Sequence, residues 1–122
     1  MAADESVPFH SIQGSKTGAV ERKFPRFPTA LPCLYSKDDG PDWNGTTINL
    51  SLGGCAILGT TPVEKGDYLR VLIFPSSSQP PIEVGLAPVR WTIGEHFGVE
   101  FIMVTARDAQ RLQSYLTFHD SA

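Results

Sequence analysis

From Thr29 onward, apolar and polar residues alternate in short runs separated by turn residues, which is the period of β-strands rather than helices. Residues 29–36 put Ala30, Pro32 and Leu34 on one face and Leu31, Cys33 and Tyr35 on the other. Pro32 cannot donate to a ladder, so this first strand reads as an edge or carries a bulge. Residues 37–41 (KDDGP) are a turn, and residues 43–50 a second strand weakened by Gly45. A turn over residues 51–53 leads into a third strand, residues 54–59, containing Cys55, Ile57 and Leu58. After a turn at 62–66, residues 67–74 (DYLRVLIF) form the fourth strand, and 75–81 a serine- and proline-rich loop. Residues 82–93 read as a fifth strand bent at Gly85 or Pro88. Gly94 and Glu95 turn the chain into a sixth, residues 96–104, with Val99 and Phe101 alternating against Glu100. Six short strands with frequent turn signals predict an all-β barrel or sandwich.

The period then changes. Ala109, Leu112, Tyr115 and Leu116 fall on one face of a helix that begins at Thr105. Thr105 and Asp108 form a capping-box-like pair, with Asp in place of the preferred Glu. This helix is expected to cover an open end or side of the barrel. Residues 1–20 show no periodicity and are rich in Ser, Gly and Ala, so they read as a flexible tail, or as a segment that orders when a ligand or partner arrives. Residues 118–122 read as a short C-terminal tail. The ordered domain is thus expected over 21–117.

Composition narrows the possible functions. The chain has 122 residues, 41% hydrophobic and 19% charged, enough for one compact core and too little charge for a disordered chain. A formal net charge of -3 argues against a general nucleic-acid binder, which carries a basic stripe, but leaves room for a small anion held by a few local arginines. No run of eighteen or more apolar residues is present, and residues 1–20 lack the basic and apolar regions of a secretory signal. A cytoplasmic protein with no membrane insertion is expected. Cys33 and Cys55 match neither a zinc spacing nor a redox pair. They read as free buried thiols in a reducing cytosol, with a disulfide between adjacent strands as the alternative.

Two stretches carry more polarity than closing a barrel requires. Glu21-Arg22-Lys23-Phe24-Pro25-Arg26 is a basic loop whose Pro25 opposes a helix, so both guanidinium groups can fold over one site. Asn49-Leu50-Ser51-Leu52-Gly53-Gly54 places Asn49 and Ser51 on one side of an extended chain and Leu50 and Leu52 on the other, towards a core. The bland readings are a solvated basic loop and a turn that satisfies its own backbone. A second R-x-x-x-R, Arg107 and Arg111, lies on a solvated helix face and reads as structural. Trp43 and Trp91 read as core or barrel-wall residues rather than stacking platforms. His96 beside Glu95 lacks a nucleophile, His10 and His119 lie in the tails, and Asp38 with Asp39 sits in a turn. No phosphate loop, dinucleotide fingerprint or metal cluster is present, so an enzyme is not expected.

Taken together, Arg22 and Arg26 followed roughly twenty to thirty residues later by Asn49, Ser51 and Gly54 resemble the R-x-x-x-R and [D/N]-x-S-x-x-G motifs of the PilZ domain family. The later V-R-W and F-G-V-E-F segments followed by a helix resemble its second half. The resemblance implies a six-stranded antiparallel barrel with a C-terminal helix, and a bacterial receptor for the second messenger cyclic di-GMP. On the family's pattern Arg22 and Arg26 clamp guanine edges and phosphates, and Asn49 and Ser51 hydrogen-bond base or phosphate oxygens. Gly54 leaves room for a base, and Lys23 adds attraction. No further cofactor is implied. A stand-alone domain implies an effector protein as partner, signalled through ordering of the arginine loop. The alternative is a ligand-independent adapter on the same fold.

Overall fold

A computed structural model describes residues 6–8 and 24–120. Nine strands and one helix lie within them: β1 (Ser6–Pro8), β2 (Phe27–Pro28), β3 (Pro32–Lys37), β4 (Trp43–Ser51), β5 (Gly54–Gly59), β6 (Tyr68–Ile73), β7 (Ile82–Ile93), β8 (His96–Glu100), β9 (Met103–Thr105) and α1 (Ala106–Asp120). Six of the strands follow one another round a closed ring, β3–β4–β5–β8–β7–β6 and back to β3, every pair antiparallel. This is the expected six-stranded barrel with a C-terminal helix. Closure leaves the ring without an exposed edge.

Two of the expected strands have other bounds. The run expected over 29–36 begins only at Pro32, as β3, and a separate short strand, β2, precedes it; both lie along β4: Phe27 pairs with Leu50 and Pro28 with Asn49, while Pro32 to Tyr35 pair with Thr46 back to Trp43. The run expected over 96–104 is split into β8 and β9, which lie along β7, and buried Phe101 falls in the gap. In the gap the Phe101 N–H donates to Gly53 O at 2.9 Å, which fastens the β4–β5 turn to the far strand. The predicted bend in the fifth strand falls at Gly85, where the register of β7 against β6 and β9 shifts.

The described residues of the segment expected to be a tail form a strand: Ser6–Pro8 pairs with Thr105–Met103 of β9. Backbone pairing needs no side-chain periodicity, so the sequence pattern carries no sign of it. The remaining residues of that expected tail, His10 among them, lie outside the described residues, as do Arg22 and Lys23.

The core fills the barrel with Tyr35, Leu50, Ile57, Val71, Ile73, Val84, Val89 and Phe101, all without exposed surface. Tyr35 is its polar anchor. Its hydroxyl donates to Thr61 O at 2.6 Å and accepts from Thr61 N at 2.8 Å, and its ring meets Phe97 edge-on at 5.0 Å. Trp43 packs partly buried against the same ring at 5.5 Å, as a barrel-wall residue should.

Helix α1 packs on β7 and β9 through buried Leu112 and Leu116, with Ala109 and Tyr115 beside them. Its start is half a capping box. Thr105 Oγ1 accepts the Asp108 N–H at 3.1 Å, but the Asp108 carboxylate turns to the sheet instead and accepts from Glu83 N at 3.0 Å. Arg111 is not solvated as expected. It bonds Asp108 at 3.0 Å and the carbonyls of Pro80 and Pro81 at 2.6 and 3.0 Å, tying α1 to the β6–β7 loop. The helix runs through Asp120, beyond the tail boundary expected at 118.

Candidate functional site

The site is assembled by β4 and by the strap that lies along it. Beyond Thr47, strand β4 carries a bulge: Thr47 pairs with Ile57, and the next pair is Asn49 with Ala56, so Ile48 is the extra residue. A side-chain period of two means one inserted residue reverses the faces. Thr47 therefore points inward, and Asn49 outward. Leu50 then returns to the core, paired with Cys55.

Strand β2 brings Arg26 to this outward face. Arg26 immediately precedes Phe27, the partner of Leu50, and its Nη1 donates to Asn49 Oδ1 at 2.7 Å. Asn49 Oδ1 also accepts the Ala56 N–H at 3.2 Å, the ladder position the bulge disturbs. One oxygen thus holds the strap and repairs the sheet, while the Asn49 Nδ2 donors are left for another acceptor.

Ser51 is committed more fully to its own turn. It is only 2% exposed. Its Oγ accepts from Gly53 N at 3.1 Å and donates to Gly54 O at 3.2 Å. Both glycines are closely packed, Gly54 against backbone and Gly53 against a side chain. A Cβ on Gly53 would lie 2.7 Å from the Phe24 ring, and one on Gly54 would collide with the carbonyl oxygen of Val99. Of the expected site residues, Arg26, Asn49, Ser51 and Gly54 are thus brought together, and Arg22 and Lys23 lie outside the described residues.

Trp91 is a barrel-wall residue, and it stands on this outward face of the wall. Strand β7 is bulged at Arg90, so Val89 pairs with Val99 and Trp91 with Gly98. The pairings define two rows across four strands. Leu50, Cys55, Val99 and Val89 form an inner row, all buried, and Asn49, Ala56, Gly98 and Trp91 form the adjacent outer row. Trp91 is 39% exposed and its indole lies across Gly98, where any Cβ would collide with it. Only Ala56 and Gly98, the two smallest side chains, separate Asn49 from the indole along the row. Strict alternation would have put Val89 and Trp91 on one face, so the bulge is why sequence periodicity misplaces this tryptophan. The neighbouring pair Gly54 and Glu100 brings in Arg90, whose Nη2 lies 2.5 Å from Glu100 Oε1.

The electrostatics of the site come from its arginines. On the other side of the sheet, burial pushes the Cys55 thiol far up, neighbouring Cys33 raises it further, and the Arg26 charge pulls it back down. Cys33 and Cys55 are both free and buried. A cavity of about 190 Å³ lies where the strap (Phe24, Pro25, Phe27), the turn (Leu52) and the end of α1 (Gln113, Leu116, Thr117) meet. A larger groove of about 730 Å³, between the β6–β7 loop and α1, contains none of the motif residues. Among the described residues, no three His, Cys, Asp or Glu side chains come together as a metal site requires, and no helix is long and apolar enough to cross a membrane.

The family model of the PilZ domain matches residues 21–118. Among solved structures, the chain is similar to the inhibitor of motility MotI/DgrA of Bacillus subtilis, with a TM-score of 0.67 and 22% identity, covering 84% of this chain and 53% of that one. The likeness is one of fold, and this chain spans about half the length of that structure. No curated protein matches the chain.

Proposed function

The chain belongs to the PilZ domain family, and on that premise we propose that it is a cyclic di-GMP receptor that signals to a protein partner through ordering of its N-terminal arginine loop. The observation that carries this reading is the 2.7 Å bond from Arg26 to Asn49, which joins the two halves of the motif across the barrel surface. Arginine presents a planar fork suited to phosphate oxygens or to the O6/N7 edge of guanine. Arg26 and Asn49 offer such donors side by side, and Arg22 and Lys23 would add to them from the preceding strap. Across the row of small residues, the half-exposed Trp91 indole offers a flat apolar face on which a purine can stack. Ligand and strap share one surface, so a bound anion would favour the state in which the arginines are held against β4, and only such differential binding shifts an equilibrium.

One observation favours the second reading, a ligand-independent adapter. Ser51 is nearly buried and satisfied by its own turn, and Gly54 is explained by the approach of Val99, so these two motif positions have a structural role without any ligand.

Calorimetric titration with cyclic di-GMP separates the two. A micromolar dissociation constant corresponds to about -8 kcal/mol, and losing two charge-assisted contacts at about 1.5–3 kcal/mol each should abolish detectable heat in an Arg22→Ala, Arg26→Ala double variant. Trp91→Ala should weaken binding by about 1–3 kcal/mol, the value of one stacked base. No heat from the wild type at saturating ligand would remove the receptor reading and leave the adapter.

A further inference from the structure

The strap hangs from a junction that regular strand pairing does not hold. Residues 29–31 separate β2 from β3, with Pro28 and Pro32 on either side, and they face the bulge at Ile48. Two prolines remove backbone donors, and residues 29–31 face only Thr47 and Ile48, so the regular ladder that would otherwise fix the register is interrupted here. Two backbone bonds remain, from Thr29 N to Ile48 O at 2.9 Å and from Thr47 N to Leu31 O at 2.8 Å.

The rest of the junction is held by one side chain. Thr47 points into the barrel and has no exposed surface. Its Oγ1 accepts the Leu31 N–H at 3.1 Å, shares a 2.8 Å hydrogen bond with Thr29 Oγ1, and lies 3.4 Å from Leu31 O. A threonine hydroxyl has one proton and two lone pairs, and here they supply what the interrupted ladder lacks. Valine has nearly the same shape but none of this capacity.

From these contacts we infer that Thr47 is a positioning residue for the ligand site, setting the register of the arginine strap without touching ligand. The inference rests on the receptor reading given above. The chain leads from Thr47 through residues 31–29 to Pro28 opposite Asn49, Phe27 opposite Leu50, and so to Arg26. A slip of one residue at the junction would turn Phe27 out of the core and carry Arg26 away from Asn49, because the period of a strand is two. Ligand affinity therefore depends on a buried hydroxyl on the opposite face of the sheet.

The test pairs Thr47→Val with Thr47→Ser in the full chain, read in two ways. Without ligand, NMR reports the cross-strand contact of Phe27 with Leu50 and the exchange rate of the Leu31 amide. The contact should weaken and the amide exchange faster in Thr47→Val, and both should be retained in Thr47→Ser. With cyclic di-GMP, the dissociation constant should rise about tenfold or more in Thr47→Val, the consequence of leaving a partly buried N–H unpaired, and stay near wild type in Thr47→Ser. Thr29→Ala, at the half-buried end of the same bond, should shift both readouts in the same direction even if Thr47→Val does not fold. Wild-type contacts and affinity in both Thr47→Val and Thr29→Ala would overturn the assignment, as would loss of affinity with the strap register intact. A wild type that does not bind, with the register lost in Thr47→Val, would instead refute the receptor reading and leave Thr47 as the lock of the strap.

Discussion

Asn49 shows how one side chain serves sheet and site together. Its Oδ1 accepts from Ala56 N and from Arg26, so replacing it disturbs the β4–β5 ladder as well as the strap. Gly54 is a plainer case, since its lack of a Cβ answers the approach of the β8 backbone, with Val99 C at 3.3 Å and Glu100 Cα at 3.4 Å from where a Cβ would stand. Backbone cannot swing aside as a flexible side chain can. Gly54→Ala should therefore destabilise the fold by about 1–3 kcal/mol, the usual cost of overpacking, measured as a lower thermal midpoint. Gly85→Ala is the control, because its Cβ would meet only Met103 O at an ordinary 3.8 Å. Equal midpoints for the two variants would contradict this account. The need for glycine at 53–54 was legible as a turn, but the close approach of Phe24 and Val99 was not, since neither lies near in sequence.

At the scale of elements, the junctions differ most from the sequence pattern. The bounds of β5 and β7 were located correctly, because apolar runs closed off by turn residues mark strands even where strict alternation fails. The same pattern could not locate the bulges at Ile48 and Arg90, which insert a residue without changing composition. The start of α1 shows the same limit. Thr105 caps the helix as its sequence suggests, but Asp108 serves the sheet by accepting Glu83 N. Thr105→Ala should cost about 1 kcal/mol, as N-cap losses do. Asp108→Ala should cost more, since it leaves Glu83 N without its partner and removes the ion pair with Arg111. Urea denaturation of the two variants checks the order, and Thr105→Ala proving the more damaging would refute the asymmetry.

For the whole molecule, the two thiols report how tightly the barrel closes. Burial pushes Cys33 from its ordinary 9.0 up to about 12, and Cys55 is raised further. A folded-state pKa above the unfolded value means that the neutral thiols stabilise the fold fully below about pH 9. That stability is then lost as pH rises through the raised values, because only the unfolded chain releases the protons easily. The urea midpoint should thus stay level from pH 7 to 8 and fall above about 9. The fall should be shallower in a Cys33→Ala, Cys55→Ala variant, and the same slope in both proteins would show that the thiols are not its source. The sequence by itself determined the strand count of the ring, the helix that follows it and the motif spacing. These follow from period and turn chemistry, which are local. Only the tertiary structure decided that Trp91 faces outward in the row of Asn49, that Ser51 is sealed in its turn, and that the hydroxyl of Thr47 holds the strap. Each depends on the register between strands far apart in the chain, and register is fixed by bulges and by the closing of the ring, not by any one strand.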